Sequence, residues 1–275
     1  LNKLKRIPLY VILLIFGVTT LFPFMYMIAT AFTPDTYTMP YPPILFPKSF
    51  YLGNFINAIK SNNFGRYFLN SAFVSILSTI FALIVSSLTA YGFARFNFKG
   101  KEIIFKIFLF TMMVPGLLNI VPQFLVIKSM KLVDTYTGLI LLYIGGGIAG
   151  NTFFLRGFFE SIPIELEESV IIDGGSRWTI FTKIILPLSK PALGTFSIFA
   201  FTGFWDEFYG ALTLIKTPSK RTLPIALQLF RGQHASDWGL IFAASLIAIV
   251  PVILIFIIFQ KKFVKSGALN GSIKG

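Results

Sequence analysis

Six stretches of the chain are apolar over enough positions to cross roughly 30 Å of hydrocarbon at about 1.5 Å per residue. They are residues 9–32, 67–94, 103–127, 135–155, 191–215 and 238–259. The pattern predicts an all-α integral membrane protein with six transmembrane helices and no soluble core. Lys106 near the start of the third stretch can snorkel to the interface. Between the first two stretches, Pro34, Pro40, Pro42, Pro43 and Pro47 predict a stiff, extended connector. A short interfacial helix follows it. The apolar run at the N-terminus is longer than that of a secretory signal peptide, which predicts an uncleaved first span.

One polar segment breaks the rhythm. Between the fourth and fifth stretches the chain reads IELEESVIIDGGSRWTIFTKIILPL, with Glu165, Glu167, Glu168 and Asp173 close together. Pro163 suits a helix first turn, and the three glutamates sit where the helix dipole favours anions. Gly174 and Gly175 can end that helix in a left-handed cap. Ser176 can cap a second helix, with Ile180, Phe181, Ile184 and Ile185 on one side. Pro187 and Pro191 are expected to stop that helix and turn the chain into the fifth span. The residues alone allow two readings: an interaction surface, or a loop packed under its own bundle.

The spans carry irregularities of their own. The second has Ser71, Ser75, Ser78, Ala82, Ser86 and Ala90 on one helix face, either a packing stripe or the polar wall of a pathway. The third is interrupted by Pro115, Gly116 and Pro122, with Asn119 and Gln123 nearby. The fourth contains Gly145, Gly146, Gly147 and Gly150, which suit a moving or a closely packed element. The fifth holds Asp206 and Glu207 within the apolar run, beside Trp205, Phe208 and Tyr209. Carboxylates at that depth need water or a partner. They read as an outer vestibule or as a helix already at the interface. Asn119, Gln123, Trp205, Asp206, Glu207 and Tyr209 are the candidate pathway residues.

Composition agrees: of 275 residues 55% are hydrophobic and 13% charged, and 33 are Phe. Soluble domains carry about 25% charged residues. No cysteine is present, which removes disulfides and thiolate metal sites, and His234 is the single histidine. Most of the 24 basic residues fall at the N-terminus, around Arg95–Lys106, around Arg156–Lys190 and in the tail from Lys261. The positive-inside rule then places both termini and the acidic insert in the cytoplasm. The net charge of +13 is thus mainly topology, with anionic lipid as counter-charge, and nucleic acid is not an expected partner. No phosphate-binding G-x-x-x-x-G-K-[ST] loop and no nucleophile–base pair occurs. The chain reads as neither an ATPase nor an enzyme.

The order Glu168-Ser169-Val170, Asp173-Gly174-Gly175 and Ile184-Ile185-Leu186-Pro187 resembles the EAA loop of permease subunits of ATP-binding-cassette importers. Ser169 and Val170 stand where that family has alanines. The segments FWDEF, RTLPIALQLF, DWGLIFAAS and the ending GSIKG are similar to the carbohydrate-uptake branch, in particular to the second permease subunit of maltose-type importers. The resemblance implies a type I importer permease fold in a bacterial-type plasma membrane. Its parts would be a first helix and connector (1–66), a core (67–260) with a coupling loop (161–190), and a tail (261–275). It implies four kinds of partner: a homologous second permease, two ATPase subunits that hold ATP and Mg²⁺, an extracytoplasmic sugar-binding protein, and membrane lipid. No cofactor or metal is expected in this chain. Glu165, Glu167, Glu168, Ser169, Val170, Asp173, Gly174, Gly175, Leu186 and Pro187 would form the ATPase-docking loop. The alternatives are an importer permease for a non-sugar solute and a stand-alone ion-coupled transporter using Asp206 and Glu207.

Overall fold

The computed structural model describes residues 7–34, 36, 41–47, 49–61, 63–233 and 237–272, the last twelve by backbone alone. The expectations that rest on the basic N-terminus, on Pro40, on His234 and on the last three residues of the GSIKG ending lie outside the described residues. Secondary structure among the described residues is helical throughout, in two compact units: Leu1–Phe68 with Ile225–Val250, and Leu69–Pro224 with Pro251–Gly275.

In the first unit, helix α1 (Ile7–Ala31) exposes nearly every side chain and buries only Ala29, Thr30 and Ala31. Its end is tied down by Asn54 of the short helix α2 (Gly53–Lys60). The Asn54 amide donates to the carbonyls of Ala31 and Thr33, both at 2.9 Å. These are carbonyls that a helix C-terminus leaves without an internal partner. Thr36 holds the start of α13 (Trp238–Ser272) by accepting from the Trp238 and Gly239 N–H groups at 3.0 and 2.6 Å.

The second unit is built on α3 (Phe64–Arg95), α4 (Lys101–Met113), α5 (Ile120–Ser129), α6 (Tyr136–Glu160), α10 (Lys190–Trp205) and α11 (Tyr209–Leu214). Ser71, Ser75, Ser78, Ala82, Ser86 and Ala90 on α3 are all buried, while Phe73, Ile76, Ile80, Ile84 and Leu88 are exposed. Small residues inward and large aliphatics outward is the arrangement that lets helices approach closely inside lipid. Of the two readings of this stripe, the burial matches packing.

Four helices are long and apolar enough to cross a membrane among the described residues, and two bent pairs bring the number to as many as six. The third expected span is one of those pairs, turning by 103° between Lys101–Met113 and Gly116–Ser129. Pro115 accounts for the bend. The residue before a proline is pushed out of the helical region, and Val114 is extended at ψ 121°. Pro122 does no such damage, because the first turn of α5 has no N–H bond to lose. The fifth span also differs from a single helix. α10 has 16 residues, about 24 Å, and the chain unwinds at Asp206–Phe208 before α11. At its other end α10 is preceded by a 75° bend from Arg177–Leu188.

One polar staple joins distant segments of this unit. Asp134, in the left-handed region at φ 60°, accepts from the N–H groups of Lys216 (3.0 Å) and Thr217 (2.9 Å), the Thr217 hydroxyl (2.5 Å) and Lys220 Nζ (3.3 Å). The Thr217 hydroxyl bond foremost, with the backbone bonds, holds the Asp134 carboxyl well below the usual carboxylate range. A depressed folded-state pKa means the staple stabilises above the unfolded value of about 4 and is lost as pH falls below it. Thermal unfolding of the detergent-solubilised protein should therefore weaken below about pH 4. Asp134→Asn should unfold earlier at pH 7 and flatten that dependence.

Candidate functional site

The acidic insert folds into a compact elbow. α7 (Glu165–Ile172) starts two residues after Pro163 and ends in a double hydrogen bond. The Gly175 N–H donates to the Val170 carbonyl at 2.8 Å and the Gly174 N–H to that of Ile171 at 3.0 Å. That pairing is the Schellman cap, and it requires a left-handed residue. Gly174 supplies it at φ 78°. Gly175 is needed for space instead: a Cβ there would meet Val170 Cγ1 at 2.4 Å and the Val170 carbonyl oxygen at 2.8 Å. Ser176 caps α8 (Arg177–Ile180) by accepting from the Thr179 N–H at 3.2 Å. The helix then widens into a π-turn over Phe181–Ile185 and continues through α9 (Leu186–Leu188). Pro187 lies inside this run and does not stop it. Its ring would clash with the carbonyl four residues back in a regular α-helix, and the wider turn relieves that clash. The chain turns at Ser189, between α9 and α10.

The elbow packs onto the ends of α3 and α6. Ile180, Phe181 and Ile185 are buried with Ala90, Tyr91, Leu155, Phe159 and Ile162, and Val170 and Leu186 pack partly against them. Pro187 is exposed. The carboxylates separate into two groups. Glu167 is 1% exposed and pairs with Arg95, the last residue of α3, itself 7% exposed. Arg177 Nη1 approaches the other carboxylate oxygen at 3.7 Å. Arg95 also donates to the Ile162 carbonyl at 2.6 Å, and the Tyr91 hydroxyl donates to the Arg177 carbonyl at 3.3 Å. Breaking such a buried pair from one side costs about 3–5 kcal/mol. Glu165, Glu168, Ser169 and Asp173 face out, beside Leu166, Ile171 and Ile172, the last 85% exposed. This face is acidic and apolar at once, with no partner in the described chain for Ile172.

A second feature is a cavity of about 810 Å³ bounded by α4, the Pro115 break, α5, α6, α10 and α11. Asn119, Gln123, Glu207 and Tyr209 of the expected pathway line it. Trp205 and Asp206 do not. Trp205 is buried and stacks on Phe201 at 5.6 Å, and Asp206 is exposed at the end of α10. The Glu207 carboxylate accepts from the N–H groups of Gly210 (2.6 Å) and Ala211 (3.0 Å), the free donors that the helix break creates. Five further polar or aromatic lining residues were not expected from sequence: Thr111, Tyr143, Asn151, Phe199 and Phe204. The rings of Tyr143 and Phe204 lie parallel, 5.4 Å apart. The signal for Tyr143 and Asn151 is their position on α6, three residues before Gly146 and one after Gly150. The glycines do not break α6, nor do they serve close packing at Gly146 and Gly150. Cβ atoms there would meet only Gln123 Nε2 at 3.8 Å and Met112 Cε at 3.5 Å. They leave room. No lysine or arginine lines the cavity, and no metal-binding cluster exists among the described residues.

The family described as binding-protein-dependent transport system inner membrane component matches residues 82–266. The sulfoquinovosyl glycerol transport system permease of Agrobacterium fabrum is 35% identical over 94% of this chain and 90% of its own. The galactooligosaccharides transport system permease of Bacillus subtilis is 33% identical over 97% and 94%. The trehalose/maltose transport system permease of Thermococcus litoralis is 32% identical over 99% and 98%. Among solved structures, a chain of a bacterial ABC transporter involved in the import of the acidic polysaccharide alginate superposes with a TM-score of 0.82. It is 23% identical and covers 96% of this chain and 99% of its own.

The two glycines of the elbow should fail differently. Gly174→Ala should cost about 1–2 kcal/mol, the penalty for an ordinary residue in the left-handed region. Gly175→Ala should cost more, because relieving its overlap with Val170 unwinds the cap. Thermal unfolding, with limited proteolysis at 173–176, measures both.

Proposed function

The chain belongs to the family of binding-protein-dependent transport system inner membrane components, and from that premise we propose that it is the permease subunit of an ATP-driven saccharide importer. A binding protein outside the membrane would deliver the sugar. A second, homologous permease would complete the pathway, and two ATPase subunits would hold ATP and Mg²⁺. The similarity to permeases named for galactooligosaccharides and for trehalose and maltose supports a saccharide cargo. The basic-residue bias supports a cytoplasmic elbow.

The observation that carries this reading is the outward face of α7. Glu165, Glu168 and Asp173 surround exposed Leu166, Ile171 and Ile172, on an element whose opposite face is locked into the bundle. A rigid, half-acidic knob is what a soluble motor subunit needs to push on. α8, the π-turn and α9 form a nearly unbroken strut from that knob to the bend at Ser189, so a push on α7 is delivered to α10. α10 walls the cavity through Phe199, Ala200, Gly203 and Phe204. Its displacement would change the cavity's width. Asn119, Gln123, Tyr143 and Asn151 offer hydrogen bonds, and the Tyr143–Phe204 pair offers ring faces. Both suit a polyhydroxylated ligand with apolar C–H faces. The ion-coupled alternative is weakened by Glu207, whose carboxylate is occupied as a helix cap, and by Asp206, which is outside the cavity lining.

The test is to purify the assembled complex and measure ATP hydrolysis with its binding protein across mono- and oligosaccharides. Saccharide-dependent stimulation is expected; uptake by this chain alone, driven by an ion gradient without ATP, would overturn the reading. In the same complex, Glu168→Lys and Ile172→Asp should each lower ATPase co-purification at least tenfold while leaving the chain's own unfolding midpoint unchanged. Gly146→Leu, which fills the cavity, should abolish uptake and keep the ATPase bound.

A further inference from the structure

Docking through the outer face of α7 leaves Glu167 unused. We propose that Glu167 is a positioning residue that couples the elbow to α3 through Arg95, so that motion entering at α7 reaches α3 directly as well as α10 through the strut. This inference rests on the importer reading.

Three observations carry it. First, of the three glutamates on α7, Glu167 alone is buried; Glu165 and Glu168 are exposed. It points at the bundle, away from any docking partner. Second, Arg95 closes α3 and holds the elbow at two points, the Glu167 carboxylate and the Ile162 carbonyl at 2.6 Å. One guanidinium thereby brackets the turn that leads into α7. Third, the clasp is completed from beyond the glycine cap. Arg177 of α8 approaches Glu167 at 3.7 Å, and Tyr91 of α3 donates to the Arg177 carbonyl at 3.3 Å. Both arms of the elbow therefore engage α3, one turn apart, at Tyr91 and Arg95.

The apolar contacts around Ile180 and Phe181 would let the elbow slide on α3, since such contacts have no preferred direction. A buried ion pair has one, and separating it strands a charge in a dry site. The elbow can tilt only by carrying the end of α3 along. α3 is the helix whose small-residue face is packed into the bundle, so its displacement is felt along its length.

The experiment uses the whole complex in proteoliposomes and reads three quantities: ATPase co-purification, ATP hydrolysis, and saccharide transported per ATP hydrolysed. Glu167→Gln and Arg95→Met are compared with the conservative Glu167→Asp and Arg95→Lys, and with the double variant R95M/E167M, whose apolar pair avoids a stranded charge. The expected result is that Gln and Met variants keep the ATPase bound and hydrolysing but transport at least fivefold less per ATP. The Asp and Lys variants should retain at least half of wild-type coupling. The double variant should lose no more than either single one. Normal transport per ATP in R95M/E167M would overturn the proposal, as would loss of ATPase binding in Glu167→Gln to the extent seen with Glu168→Lys. Failure of the importer reading is separately visible, as absence of saccharide-stimulated hydrolysis in the wild-type complex. In that case non-additive unfolding midpoints across the same variants still report the pair, and additive ones refute it.

Discussion

Hydrocarbon offers no hydrogen bonds, so each place where a membrane helix stops must bring its own partners. The second unit is organised around that constraint. Where α10 unwinds, Glu207 turns its carboxylate onto the first N–H groups of α11. Where α4 stops at Pro115, a tight turn over Gly116–Asn119 takes up the slack before α5. Where Pro187 threatens a clash, the helix widens instead of breaking. The cavity exists because two of these breaks, at Pro115 and at Asp206–Phe208, border the same glycine-lined stretch of α6. Irregular backbone and open volume are two results of one arrangement.

The apolar windows located every long helix among the described residues, because burial in lipid depends on hydropathy and length and little else. They could not register the bends. A proline shows where a helix fails but not the direction in which the chain departs, so the interruption at Pro115 was expected and its 103° turn was not. The elbow's ends were legible through Ser176, Gly174 and Gly175, whose chemistry is local. Glu167 was not. Its neighbours in sequence are glutamates, and nothing local separates an acid that stays exposed from one that is clasped. The clue lay in Arg95, which counts toward the positive-inside bias and is equally a buried partner 72 positions away in sequence. Trp205 misled for a related reason: an aromatic beside two carboxylates suggests a binding platform, whereas here it stacks on Phe201 inside the bundle.

Ser169 and Val170 also take on distinct roles. Ser169 lies on the exposed face and returns its hydroxyl to the Leu166 carbonyl at 3.0 Å. Val170 lies on the inner face, against the core and over Gly175. The first alters the chemistry presented outward. The second fills the space under the cap and makes the following glycine sterically necessary.

α1 stands apart from all of this. Apart from its final turn, clamped by Asn54, and a ring contact of Tyr26 with Phe242, its surface is given over to exposed Leu, Ile, Val and Phe side chains that touch little else among the described residues of its unit. No complementary shape fixes which apolar residue stands at a given position there. Across related proteins this helix should therefore drift freely among greasy residues, while the small-residue face of α3 and the two glycines of the elbow stay nearly still. The rate of sequence change along the chain would then map which surfaces meet fluid lipid and which meet protein.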